Sequence, residues 1–211
     1  MPHAASIVFV VDDDISVRES LELLIRSEGW QPQLFPSAQK FLSHPRKPVP
    51  SCLVLDISMP GLNGLELQKR VAVEHPDLPI IFITGHGDVP KSVQAMKAGA
   101  IEFLIKPFDH DVLLGAVRQA LERSRIVIDR QAELKDFRER HASLSTRERE
   151  VMALVVAGLL NKQVGGELGI SEITVKAHRG KVMQKMKARS LADLVKIATK
   201  LGDVRPISHL A

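Results

Sequence analysis

Ile7-Val8-Phe9-Val10-Val11-Asp12-Asp13-Asp14 is the stretch that decides the fold. Five apolar residues in a row leave no polar side for solvent, so a strand built from them is covered on both faces, as in a parallel sheet flanked by helices. Three carboxylates follow where that strand ends. The same arrangement recurs downstream: Cys52-Leu53-Val54-Leu55 runs into Asp56, Ile80-Ile81-Phe82-Ile83 into Thr84, and Phe103-Leu104-Ile105 into Lys106. In open α/β sheets, sites form beyond the carboxyl ends of the strands. Asp12, Asp13, Asp56, Thr84 and Lys106 are therefore expected to meet in one crevice.

Working outward, strand-like runs at 7–11, 32–35, 52–56, 79–84 and 101–105 alternate with helical patterns. Val17, Leu21, Leu24 and Ile25 mark one helical face within 16–28, and shorter patterns occupy 37–42 and 65–74. Pro90 suits the first turn of a helix running to Ala98, and Asp109 can cap the helix after Phe108. Five strands alternating with five helices predict a doubly wound, five-stranded parallel sheet, flavodoxin-like, over residues 1–122.

The next segment, 123–141, continues a helical pattern that runs from about 111 to 140, with Leu113, Val117, Ala120, Val127 and Leu134 at three- and four-residue steps. Ser124 and Gln131 interrupt that stripe. It fits either a coiled-coil dimer segment or a single solvated connecting helix. Residues 142–211 then hold four short helices. Ser145 and Glu148 form a capping box, Asn161 is expected to cap the second helix before Gly169, Ser171 the third and Ser190 the fourth. Helix, glycine turn and basic helix make a helix-turn-helix pattern.

Charge divides the chain in the same way. Residues 1–122 hold 11 Lys and Arg against 15 Asp and Glu, whereas residues 123–211 hold 18 against 10. The second part is suited to a polyanion. The single cysteine, Cys52, lies in an apolar run and reads as a core residue of a protein from a reducing compartment. The absence of a long apolar run or a signal-peptide pattern leads to the expectation of a cytoplasmic protein without membrane contact.

The first cluster suits a metal-assisted phosphoryl site. Mg2+ takes oxygen ligands, so Asp13, Asp56 and the carbonyl of Ser58 can bind directly, with Asp12 acting through water. Asp56 is then a nucleophile forming an aspartyl phosphate, Lys106 offsets the oxyanion, and the Thr84 hydroxyl reaches the phosphoryl group. A phosphatase working by turnover would need a second acid and a substrate cap, yet Ile57 and Ser58 follow Asp56.

Val11-Asp12-Asp13-Asp14, Leu55-Asp56-Ile57-Ser58-Met59-Pro60-Gly61, Ile83-Thr84-Gly85-His86-Gly87-Asp88-Val89-Pro90, Ala95-Met96-Lys97-Ala98-Gly99-Ala100 and Lys106-Pro107-Phe108 together resemble the receiver domain of two-component response regulators. The likeness is greatest to the nitrogen-fixation and styrene-catabolism (NarL/FixJ) branch. It implies phosphorylation of Asp56 by a sensor histidine kinase, a cis Lys106–Pro107 peptide, and Phe103 as the switch aromatic, against the plainer reading of Phe103 as a core residue. His86 reads as a surface-loop residue.

Between 171 and 189 stand Lys176, Arg179, Lys181, Lys185, Lys187 and Arg189, with Glu172 the one acid. Val175, Val182 and Met186 supply an apolar stripe for packing, which would present the intervening residues outward. Leu144-Ser145-Thr146-Arg147-Glu148, Gly158, Asn161-Lys162, Glu167-Leu168-Gly169-Ile170-Ser171, Thr174-Val175-Lys176-Ala177-His178 and Lys185-Met186 resemble the LuxR-type output domain of the same family. The resemblance implies that Lys176, Ala177 and Gly180 face base edges of double-stranded DNA, while Lys162, Thr174, Arg179 and Lys181 touch phosphates. His178 fits either a phosphate or the scaffold. No Phe, Trp or Tyr follows Leu144, which disfavours stacking on single strands. The implied protein is a transcriptional regulator rather than an enzyme, with a homodimer formed on phosphorylation and RNA polymerase as a further partner.

Overall fold

The computed structural model describes residues 6–85 and 89–202. Five strands, β1 (Ile7–Val11), β2 (Gln31–Phe35), β3 (Ser51–Asp56), β4 (Ile80–Thr84) and β5 (Glu102–Ile105), form one parallel sheet in the order β2-β1-β3-β4-β5. The connecting helices are α1 (Ile15–Ser27), α2 (Ala38–Leu42), α3 (Gly64–Glu74) and α4 (Val89–Lys97), and α5 (His110–Ala142) follows β5. The chain order reverses between β1 and β3. That switch point opens a crevice at the carboxyl ends of both strands.

The unbroken apolar runs are explained by the pleat. Ile7, Phe9, Val11, Leu53, Leu55 and Phe82 point into one core with Phe41, Leu67, Val71 and Ala95. Val8, Val10, Cys52, Val54, Ile81 and Ile83 point the other way, against Leu21, Ile25, Leu113, Val117 and Ala120. Side chains alternate faces along a strand, and both faces are covered. Complete burial of Cys52 pushes its thiol far above the usual range, so it is inert core.

Caps set several helix starts. Asp14, the third of the acidic triplet, accepts from the N–H of Ser16 at 2.8 Å and so starts α1. Asn63 and Glu66 form a capping box on α3. Asp109 accepts from the N–H of Asp111 at 2.7 Å at the head of α5. The end of α4 is closed by Gly99, with φ 91°, and by bonds from the N–H groups of Gly99 and Ala100 to the carbonyls of Met96 and Ala95. Buried Gln68 of α3 donates a second bond to that Ala95 carbonyl at 3.0 Å.

The early part of the long helix is committed to the core of the sheet: Leu113, Val117 and Ala120 are buried there, and the Ser124 hydroxyl accepts from the N–H of Ser51 at 3.1 Å. Ser124 therefore does not weaken a stripe awaiting a second chain. It satisfies a buried backbone donor at the start of β3.

The chain divides into two compact units, 1–129 and 130–211. The second is helical, with α6 (Thr146–Val156), α7 (Asn161–Leu168), α8 (Glu172–Lys185) and α9 (Leu191–Leu201). Leu144, Met152, Val182, Met186, Leu194 and Ile197 form one cluster with Phe137, and Val151, Val155, Val164 and Val175 form another. The capping box of Ser145 and Glu148 is present on α6, and Ser171 and Ser190 cap α8 and α9. Asn161 is not the cap expected of it. Leu160 takes that position, and its N–H is satisfied by Gln163 at 2.8 Å.

Candidate functional site

The crevice gathers the expected residues. Ligand oxygens of Asp12, Asp13 and Asp56 lie within 4.8 Å of one another. Asp12 is fully buried; its Oδ1 accepts from the N–H of Asp14 at 2.9 Å and its Oδ2 from Lys106 Nζ at 2.7 Å. Asp13 is exposed. Asp56 closes β3 and is 6% exposed, with Oδ1 accepting from the N–H of Ser58 at 3.3 Å and Oδ2 standing 3.7 Å from Lys106 Nζ. Burial raises the Asp56 carboxyl above the usual carboxylate range, and Asp12 and Asp13 add to that, while Lys106 and the Ser58 N–H pull it back.

Thr84 ends β4 as a buried residue, and its carbonyl accepts from the Lys106 N–H at 2.7 Å. The Lys106–Pro107 peptide is cis. Phe103 is half-buried on the sheet, its ring 6.4 Å from that of Phe82. His86 and Gly87 lie outside the described residues.

An all-oxygen donor set suits a hard divalent cation. Three carboxylates share the crevice with one ammonium, so a cation also answers their mutual repulsion. Both Asp12 oxygens are engaged, one by the Asp14 N–H and the other by Lys106.

Two supports of this crevice escaped the sequence reading. Arg18 of α1 donates to the backbone carbonyl of Asp12 at 2.7 Å. Gly64 lies so close to the end of β3 that an added Cβ would stand 2.5 Å from the Asp56 carbonyl oxygen and 2.9 Å from Ile57 Cα. Asn63-Gly64 is a recognisable turn pair, but its dipeptide signal does not identify the neighbour.

In the helical unit, Val175 and Val182 of α8 and Met186 just after its end are buried as expected. Lys176, Ala177, Gly180 and Lys181 are exposed on it, and Lys162 is exposed near the start of α7. Lys176 stands 3.2 Å from Glu172. Thr174 is half-buried and bonded to Ser171, and Arg179 donates to Asn161 Oδ1 at 3.1 Å. His178 is half-buried, with its Nδ1 enclosed and without a hydrogen-bond partner, so its ring is tucked into the domain. Lys185 belongs to the domain's own scaffold. Its Nζ donates to buried Glu148 at 2.6 Å and to the Ser143 carbonyl at 3.1 Å.

An acid-lined crevice at the switch point of a parallel sheet, followed by a basic helix-turn-helix unit, defines a two-part regulator. The family description "Response regulator receiver domain" matches residues 8–142, and "Bacterial regulatory proteins, luxR family" matches residues 142–198. The chain belongs to the response regulators with a luxR-family output domain, in the NarL/FixJ group. It is 52% identical to Nodulation protein W of Bradyrhizobium diazoefficiens over 93% of this chain and 87% of that protein. It is 43% identical to response regulator TodT of Pseudomonas putida over 96% of this chain and 89% of that protein. Among solved structures, response regulator StyR matches with a TM-score of 0.85 and 48% identity, covering 93% of this chain and all of that one. The protein is thus a two-component transcription factor, not an enzyme. Its receiver implies a sensor kinase and its output domain implies DNA. Among the described residues, no helix is long and apolar enough to cross a membrane.

Proposed function

We propose that Asp56 accepts a phosphoryl group from a sensor histidine kinase and that this controls pairing of the chain on DNA. The observation that carries the reading is the convergence of Asp12, Asp13 and Asp56 beside Lys106. An Asp56 carboxylate oxygen forms the new bond to phosphorus as the bond from phosphorus to the kinase imidazole breaks. Asp13, Asp56 and the Ser58 carbonyl would hold Mg2+, with Asp12 acting through water. An ion held there would supply the positive charge that offsets the phosphoryl oxygens during attack by Asp56. Lys106 offsets the charge that remains. The Thr84 hydroxyl turns toward the phosphoryl group, and Phe103 moves with it.

Those movements alter the surface of α4 and β5, where Val89, Val93, Met96 and Ile105 are already exposed. Two receivers pair through that surface. The paired output domains then match a two-fold DNA site and gain affinity through effective concentration. Lys176, Ala177 and Gly180 face base edges, whereas Lys162, Thr174, Arg179 and Lys181 contact phosphates. Bound to a promoter in the cytoplasm, the dimer activates transcription with RNA polymerase.

Solution molar mass, measured by light scattering with and without Mg2+ and beryllofluoride, tests this reading. Beryllofluoride mimics a phosphoryl group on an aspartate. The expected result is a monomer that becomes a dimer only with both additives, and Asp56→Asn removes that response. An unchanged response in the folded variant would sink the proposal.

A further inference from the structure

Among the exposed residues of α8 that the DNA-binding reading leaves unused, one is apolar. Ile173, the second residue of the helix, is 81% exposed. A lone exposed apolar side chain is ordinary on a protein surface. The position of this one is not. Ala177 and Gly180 follow at the four- and seven-residue steps that share a helical face, opposite buried Val175, Val182 and Met186.

That face is shallow as well as apolar. Ala177 carries only a methyl group, and a Cβ added at Gly180 would meet nothing within 4 Å. Exposed Lys176 and Lys181 flank it. A duplex attracted by those charges can therefore approach the backbone of α8 closely. Exposed Gln184 can hydrogen-bond at the far end of the face, but Ile173, Ala177 and Gly180 along its centre offer no hydrogen-bonding side chain. In the major groove, the feature that such residues can read is the C5-methyl group of thymine.

We infer that Ile173 is a specificity residue, packing its branched side chain against a thymine methyl in each half-site. The inference rests on the proposed docking of α8 in the major groove. It adds an apolar form of readout where Gly180 supplies no side chain. Burial of one methyl-sized group predicts about a fourfold preference for thymine over deoxyuridine, which differs only by that methyl.

The experiment begins with selection of duplexes from a random pool by the full chain, in the presence of Mg2+ and beryllofluoride. Each thymine of the selected site is then replaced by deoxyuridine, and affinities are measured at one fixed salt concentration. At one thymine per half-site, the replacement should weaken wild-type binding about fourfold. Ile173→Ala should be indifferent to that replacement, whereas Ile173→Val should retain most of the preference. Both variants should keep the wild-type melting temperature and salt dependence, since position 173 is exposed and uncharged.

Equal thymine preferences in wild type and Ile173→Ala would overturn the inference while leaving DNA binding intact. Failure of the wild-type chain to enrich any duplex would instead remove the docking on which it rests. A change in molar mass of the DNA-free Ile173→Ala chain, with thymine preference unaltered, would assign the side chain to a protein contact and overturn the inference too.

Discussion

Gly64 shows how much one missing methyl group governs. A Cβ there would overlap the Asp56 carbonyl oxygen and Ile57 Cα, both backbone atoms at the end of β3. Gly64→Ala should therefore shift the strand end that carries Asp56, lowering the melting temperature and weakening beryllofluoride binding together. Wild-type values for both would contradict the contact. Glu148 has a different kind of influence. Its hydrogen bond from Lys185 and the Ser145 N–H hold its carboxyl down at about 2, against an ordinary value of 4.5. The unfolded chain thus binds this proton more tightly than the folded one. The stabilisation is complete above about 4.5 and is lost as pH falls toward about 2. Melting temperature followed across that interval should fall in the wild type, and the part due to this group should be missing in Glu148→Gln.

At the level of elements, α7 sets two adjacent glycines against each other. A Cβ on Gly165 would lie 2.8 Å from the Ile170 carbonyl oxygen, whereas one on Gly166 meets nothing within 4 Å. Gly166→Ala should raise stability by up to about 1 kcal/mol through helix propensity. Gly165→Ala should lower it, because the turn into α8 would have to open. Denaturant unfolding of both variants checks the opposite signs. Two adjacent glycines weaken any helix, and the sequence alone shows that much, but nothing local reports how near the Ile170 carbonyl comes to Gly165. The same distinction holds elsewhere. Strands β1, β3 and β4 could be read because their residues bury on both faces and lead into Asp12, Asp56 or Thr84, and β5 because a short apolar run leads into Lys106. Ser124, Gln68 and Arg18 could not, because each is defined by a backbone group remote in sequence or hidden in the fold. Lys185 looked like part of a basic surface for the same reason: its partner Glu148 lies 37 positions away. Asn161 had the right residue type for a cap, yet Gln163 satisfied the donor one position earlier.

Over the whole molecule, a net charge of +4 conceals an acidic receiver and a basic output unit. Binding to duplex DNA should consequently weaken steeply with salt. Lys162→Ala should reduce affinity by a similar factor for every duplex sequence and lower the slope of log affinity against log salt by about 1. A sequence-dependent loss with no change of slope would move Lys162 from phosphate contact to base readout. The burial of Cys52 has a practical consequence at this scale. The chain has a single thiol, fully enclosed within the central sheet. It is in effect already prepared for site-directed labelling: a cysteine introduced on α4 or α8 would take a maleimide spin label or fluorophore almost alone, with no native residue to be removed first.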